Sequence, residues 1–328
     1  PVVRIDFTGA ERMLAFLRTV ADGKPDRSFL DKALNTKAYT LFFRHHNRLG
    51  RALSREDLAS LLMGLGEERV DGLRHRAFRE ASGRLDHLAR TLDRIRGGRY
   101  VERATRKALE NLPAGARLDC TVYVLLDGQS GAYALEGDLA VDLLQVDFEG
   151  WLSLENSLAH ELHHVGLEGF VPDIDHLPDP ERQAVSLLGV CVAEGSALYL
   201  IHGYPNGPGP SAKTRGCHAD YLRYSSELDM WMSRLERAME RALAGGFNAR
   251  SFEREVRAFL RGYMGAAYWI GARMVEAMTV ELGRRAAVDI LSSLPDFLPT
   301  YNRCAVRLGL YRFGDGLSAR LAGILARL

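Results

Sequence analysis

Between Arg117 and Val146 the chain changes its hydrophobic period, and this change constrains the fold more than any other feature. Arg117–Leu126 is rich in β-branched and aromatic residues and reads as a strand, and Asp127-Gly128 begins a turn. Ala132–Leu135 and Leu139–Val146 are two further strand candidates, separated by Glu136-Gly137-Asp138. On either side, apolar residues recur at helical spacing. Helices are predicted before the strands over Ala10–Val20, Asp26–Leu49, Ser54–Leu65, Glu67–Ile95 and Tyr100–Leu112. After Pro205 they are predicted over Ser211–Ala244, Ser251–Gly283 with a break near Gly262, and Arg284–Leu294, with two more closing the chain. The expected fold class is α+β, predominantly helical, with a small strand region at about residues 117–147.

The segment after the strands places Leu154, Leu158, Leu162 and Val165 at helical spacing, with Ser153 as N-cap and Gly166 and Gly169 marking the end. It contains His160-Glu161-Leu162-His163-His164, which includes the pattern H-E-x-x-H. Helix positions four apart differ by about 40° of rotation and about 6 Å of rise, so His160 and His164 project from one face. Two imidazoles so placed can bind one zinc ion, and Glu161 lies close enough to hold a water as general base without itself ligating. His163 points away from the pair, and its default role is at the surface or in support. The bland alternative makes these histidines satisfied core residues.

A catalytic zinc site generally has three protein ligands and an open position. The continuation H-E-x-x-H-x-x-G-x-x-H is excluded, because Leu167 and Phe170 stand where Gly and His would be needed. The next helical run, Glu181–Leu200, has Glu194 as the only acid between Val185 and Leu200. An acid in such an apolar stretch is costly to bury unless paired or bound to a cation. Pairing with an arginine is the alternative. Gly189, Ala193, Gly195 and Ala197 would let this helix approach the motif helix. Glu168, Asp173, Asp175 and His176 are weaker ligand candidates, the last three in a loop more simply read as a polar crossover.

His160-Glu161-x-x-His164 followed by Glu194-Gly195-x-Ala197-x-Tyr199 resembles the gluzincin metallopeptidases, whose third ligand is a Glu on the next helix. The Glu-Gly-x-Ala piece is similar to that of zinc aminopeptidases related to alanyl aminopeptidase, and the layout resembles uncharacterised families of zinc-dependent peptidases. The resemblance covers about residues 117–203. It implies one Zn2+ held by His160, His164 and Glu194, catalysis through Glu161, and a peptide or protein substrate. No Gly-x-Met-x-Asn segment precedes the motif, and Leu198 replaces the acid that follows the third ligand in thermolysin-like enzymes. Aminopeptidase specificity and a thermolysin-like supporting shell therefore do not transfer.

Hydrolysis of a carbonyl also needs a donor to the developing oxyanion. The apolar helix around Tyr263–Met278 carries two tyrosines among small residues, and Tyr268 is the favoured donor with Tyr263 in reserve. By analogy with such peptidases, Leu139–Val146 could present a strand edge to an extended peptide, although an ordinary sheet strand is at least as good a reading. The Gly/Pro-rich segment Gly203–Pro210 cannot continue a helix and reads as a surface loop or a wall of the cleft.

With 43 basic and 42 acidic residues, charge gives no global pull toward nucleic acid, and none is expected as a partner. The organisation expected is a helical region at 1–115, a core bearing the motif at 116–210 and a helical region at 211–328, packed as one globule. Cys120, Cys191, Cys217 and Cys304 include no C-x-x-C and favour a reducing, cytoplasmic compartment. No apolar run is expected to be long enough to span a membrane. Two other readings compete with an enzyme: a catalytically silent zinc-stabilised protein, and a metal-free helical interaction protein with a chance H-E-x-x-H.

Overall fold

The computed structural model describes residues 1–48, 53–65 and 72–328. Leu49 of the helix predicted over Asp26–Leu49, and residues 67–71 of the one predicted over Glu67–Ile95, lie outside the described residues. By internal contacts the chain forms two compact units. One comprises Pro1–Arg106, Leu118–Glu149 and Ser153–Val165, and the other Lys107–Arg117, Gly150–Leu152 and Gly166–Leu328.

The first unit holds a four-stranded sheet of β1 (Val2–Asp6), β2 (Asp119–Leu125), β3 (Ala132–Leu135) and β4 (Asp138–Asp142), in the order β1-β2-β4-β3. β1 is not legible in the sequence, because five residues at an edge, alternating between exposed and half-buried, establish no period. β1 pairs with β2 and β2 with β4 in parallel, while β3 and β4 form an antiparallel hairpin. Its two-residue turn places Glu136 at φ 53° and Gly137 at φ 80°, the left-handed pair whose twist matches the strands. The strand predicted over Leu139–Val146 stops at Asp142, whose carboxylate accepts the Leu144 N–H and starts a 3-10 turn over Leu143–Gln145. β4 is bonded on both sides, so the expectation that it offers an edge to a peptide is corrected. β1 and β3 are the edges.

Among the described residues, seven helices precede β2: α1 (Thr8–Ala21), α2 (Arg27–Leu34), α3 (Lys37–Arg48), α4 (Arg55–Met63), α5 (Leu73–Ser82), α6 (Leu85–Gly97) and α7 (Tyr100–Glu110). Two predicted long helices are each broken. Asn35 ends α2 and the Thr36 hydroxyl accepts the Tyr39 N–H to start α3, while Gly83 ends α5. α1 lies close on the sheet because Gly9 has no side chain; a Cβ there would be 2.6 Å from Ala38 Cβ and 3.1 Å from the Val124 carbonyl. Met13, Phe16, Leu17, Phe42, Val122, Val124 and Leu139 are fully or almost fully buried and form the core of this unit. The motif helix α8 (Leu154–Glu168) belongs to this unit as far as Val165.

The second unit is built on α9 (Asp179–Ala197), which packs against α11 (Leu228–Leu243), α13 (Ala266–Leu282) and α16 (Asp315–Leu325). α10 (Ala212–Ser226), α12 (Ala249–Phe259), α14 (Arg284–Ile290) and α15 (Leu294–Leu308) complete it. α9 and α13 cross in backbone contact: a Cβ on Gly195 would lie 2.2 Å from Gly271, and one on Gly271 would lie 1.7 Å from the Cys191 carbonyl oxygen. Gly195 thus serves the approach of α13. Contrary to the sequence expectation, Asp179–His202 is long and apolar enough to cross a membrane by length and composition. Its most apolar window is 67% buried within the protein, which accounts for that hydropathy as the core helix of this unit.

Candidate metal centre

The local sequence of α8 folds as its pattern requires. The Ser153 carbonyl accepts the Ser157 N–H at 2.8 Å, and its hydroxyl lies 3.4 Å from the Asn156 N–H. Leu154, Leu158, Leu162 and Val165 are buried along one stripe. This stripe fixes the azimuth of the histidines. The His160 and His164 rings are 4.8 Å apart between centroids and nearly perpendicular, at 84°. His160 is 6% exposed, while Glu161 and His164 are half-buried. His163 is completely buried, so of the two roles expected for it, at the surface or in support, the first is corrected. Its position one residue from His164 turns it by about 100° into the core packing of the helix.

Glu194 lies in the last turn of α9, half-buried. One ligand-capable atom from each of His160, His164 and Glu194 lies within 4.8 Å of the others, and no other such group of His, Cys, Asp or Glu is found among the described residues. Tetrahedral zinc with bonds of about 2.1 Å would separate its ligands by about 3.4 Å, so modest closure of the side chains accommodates the ion. Two imidazoles and a carboxylate are a donor set that suits zinc. Burial, and then the charge of Glu194, raises the pKa of the neighbouring Cys191 thiol, which stays a protonated hydrophobe.

The weaker ligand candidates are placed otherwise. Asp173, Asp175 and His176 are exposed, and Asp173 accepts the Asp175 N–H in a local turn, as a polar crossover would. Glu168 is exposed at the end of α8. Tyr268 is half-buried in the first turn of α13, three residues before Gly271 and so on the side of that helix turned to α9. Tyr263 is 58% exposed, and its ring lies over Gly216, where a Cβ would meet it at 2.2 Å.

Several supports beyond Glu194 are not legible in the sequence. α9 ends in a π-turn over Leu198–His202, after which Gly203 adopts φ 66°. His202 Nδ1 is 3.0 Å from the Trp151 carbonyl, the Trp151 indole N–H donates to the Gly203 carbonyl at 3.1 Å, and Arg284 donates to the Leu200 carbonyl at 2.8 Å. The following loop is pinned at its start, where the Tyr204 hydroxyl donates to Glu276 at 2.9 Å and its ring stacks with Tyr221. No local pattern announces these contacts, since each joins residues distant in the chain or depends on a helix end.

Fold and motif together define a predominantly helical α+β protein with a His/Glu cluster suited to a metal. The chain belongs to the DUF5700 family, described as "Putative zinc dependent peptidase", whose model matches residues 30–308. No curated protein and no solved structure matches it.

Proposed function

We propose that this protein is a gluzincin-type zinc peptidase, with one ion held by His160, His164 and Glu194 and with Glu161 as general base. The observation that carries the reading is the convergence of those three donors, drawn from H-E-x-x-H and from the next helix. Membership of a family described as zinc dependent peptidases supports it. Zinc, when bound, supplies Lewis-acid polarisation of a carbonyl and makes water a better nucleophile near neutral pH. Glu161 takes a proton from the attacking water and delivers it to the leaving amine. Glu161 is half-buried and follows His160 in the chain, which supports that role. Tyr268 donates a hydrogen bond to the substrate carbonyl oxygen as that oxygen gains charge. The substrate is a peptide or protein.

Metal analysis of protein purified without added zinc, together with cleavage of a mixed peptide library, tests the reading. One zinc per chain and chelator-sensitive cleavage are expected. Protein without stoichiometric metal would overturn it, and zinc-loaded protein that cleaves no peptide would favour a silent structural site.

A further inference from the structure

At the carboxyl ends of the parallel strands β2 and β4, the first unit buries a polar cluster that the metal chemistry does not use. Asp127 is 0% exposed, Asp142 and His46 are each 1% exposed, and Arg74 is 9% exposed. Arg74, on α5, donates from Nη2 to Asp127 Oδ1 at 2.9 Å and from Nε to the Asp127 carbonyl at 3.0 Å. Its guanidinium lies over the Phe42 ring at 5.1 Å. The same Nη2 is 3.0 Å from His46 Nε2. His46 Nε2 also lies 3.4 Å from Asp127 Oδ2, so the imidazole sits between the carboxylate and the guanidinium. Burial works against the Asp127 carboxylate, but the side chains of His46 and Ser130 and then the charge of Arg74 hold its carboxyl below the usual range.

Asp142 is in a different position. Its Oδ1 accepts the N–H groups of Asp127 and Leu144, both at 3.0 Å, and its Oδ2 accepts that of Gly128 at 2.8 Å. No guanidinium, ammonium or imidazole donates to it among the described residues. Two buried carboxyl groups therefore share one guanidinium, which Asp127 engages, and burial without a cationic donor favours the protonated form of Asp142. With two N–H donors on Oδ1 and one on Oδ2, the lone pair left for that proton is on Oδ2. The β3–β4 register sets Tyr133 opposite Ala140, on the face of the sheet that Asp142 shares. The Tyr133 hydroxyl, on a residue 6% exposed, has no hydrogen-bond partner among the described residues.

We propose that Asp142 is a buried single-proton site, taking its proton on Oδ2 and making this end of the sheet sensitive to pH. Burial, joined by the charge of Asp127, raises the Asp142 carboxyl to about 7, in line with its burial without a cationic donor. The groups that surround it are Tyr39, His45 and His46 from α3, Arg74 from α5, Asp127 from the turn after β2, and Tyr133 from β3. Since the folded pKa lies above the unfolded value, the folded state holds the extra proton, and stability falls as pH rises through about 7.

The test is denaturant unfolding of the full chain as a function of pH. The unfolding constant of the native sequence should rise about tenfold more between pH 6 and pH 8 than that of Asp142→Asn, while His46→Gln keeps the native dependence. Equal dependences in the native protein and Asp142→Asn would overturn the proposal. If Asp142→Asn does not fold, the carboxyl carbon of Asp142 is followed by NMR in the native sequence. A titration between about pH 6 and pH 8 supports the site, and a carboxylate that persists down to about pH 5 sinks it.

Discussion

Glu161 and Glu194 are both glutamates on helices, yet the proposed chemistry asks opposite things of them. Glu161 follows His160 in the motif and should act on protons; Glu194 should hold metal. Replacing Glu161 with Gln keeps the volume and removes the base, so zinc content should stay at that of the native protein while turnover falls by about 10²–10⁴. A Glu161→Gln enzyme with native turnover would remove it from that role. Replacing Glu194 with Ala removes a donor, and zinc affinity measured by competition with a chelator should fall by more than about 100-fold, beyond the loss usual for a supporting residue. Unchanged affinity would return the third position to Glu168 or Asp175.

Among the elements, the crossing of α9 and α13 is the contact with least tolerance. Gly271 has no room for a methyl group against the Cys191 carbonyl, and backbone cannot yield as a side chain can. Gly271→Ala should therefore cost about 3 kcal/mol or more, with α9, and Glu194 on it, displaced. Gly189, on the same helix as Glu194, has nothing within 4 Å of the point where a Cβ would stand, so Gly189→Ala should stabilise by up to about 1 kcal/mol through helix propensity. Thermal unfolding of the two variants checks both signs, and similar behaviour at the two positions would mean that the close crossing carries no weight.

For the molecule as a unit, a ligand that binds only the folded state raises its stability in proportion to the logarithm of its free concentration. With zinc at about 1,000 times its dissociation constant the gain is about 4 kcal/mol, so a chelator should lower the melting temperature of native protein by several degrees. Glu194→Ala should show a much smaller shift, and Glu161→Gln the full one. A native protein whose melting is indifferent to chelator would contradict a zinc ion tied to the fold.

Much of the site is legible in the sequence because it depends on short spacing. The helical period of Leu154, Leu158, Leu162 and Val165 orients His160 and His164 from spacing alone, and the lone acid in Val185–Leu200 singles out Glu194 by the cost of burying it. β3 is legible to the residue from its position between two turns. Hidden from such a reading are β1, the burial of His163, the inner position of β4 and the Arg74–His46–Asp127–Asp142 cluster. Each of these depends on partners distant in the chain, and a local period carries no information about which strand pairs beside β4 or which helix Gly195 meets. Residue order is enough to specify a helix that offers two imidazoles on one face and an acid on the next helix. The convergence of one donor from each residue within 4.8 Å belongs to the folded chain, because that distance is set by side-chain packing and not by the spacing of residues along the sequence.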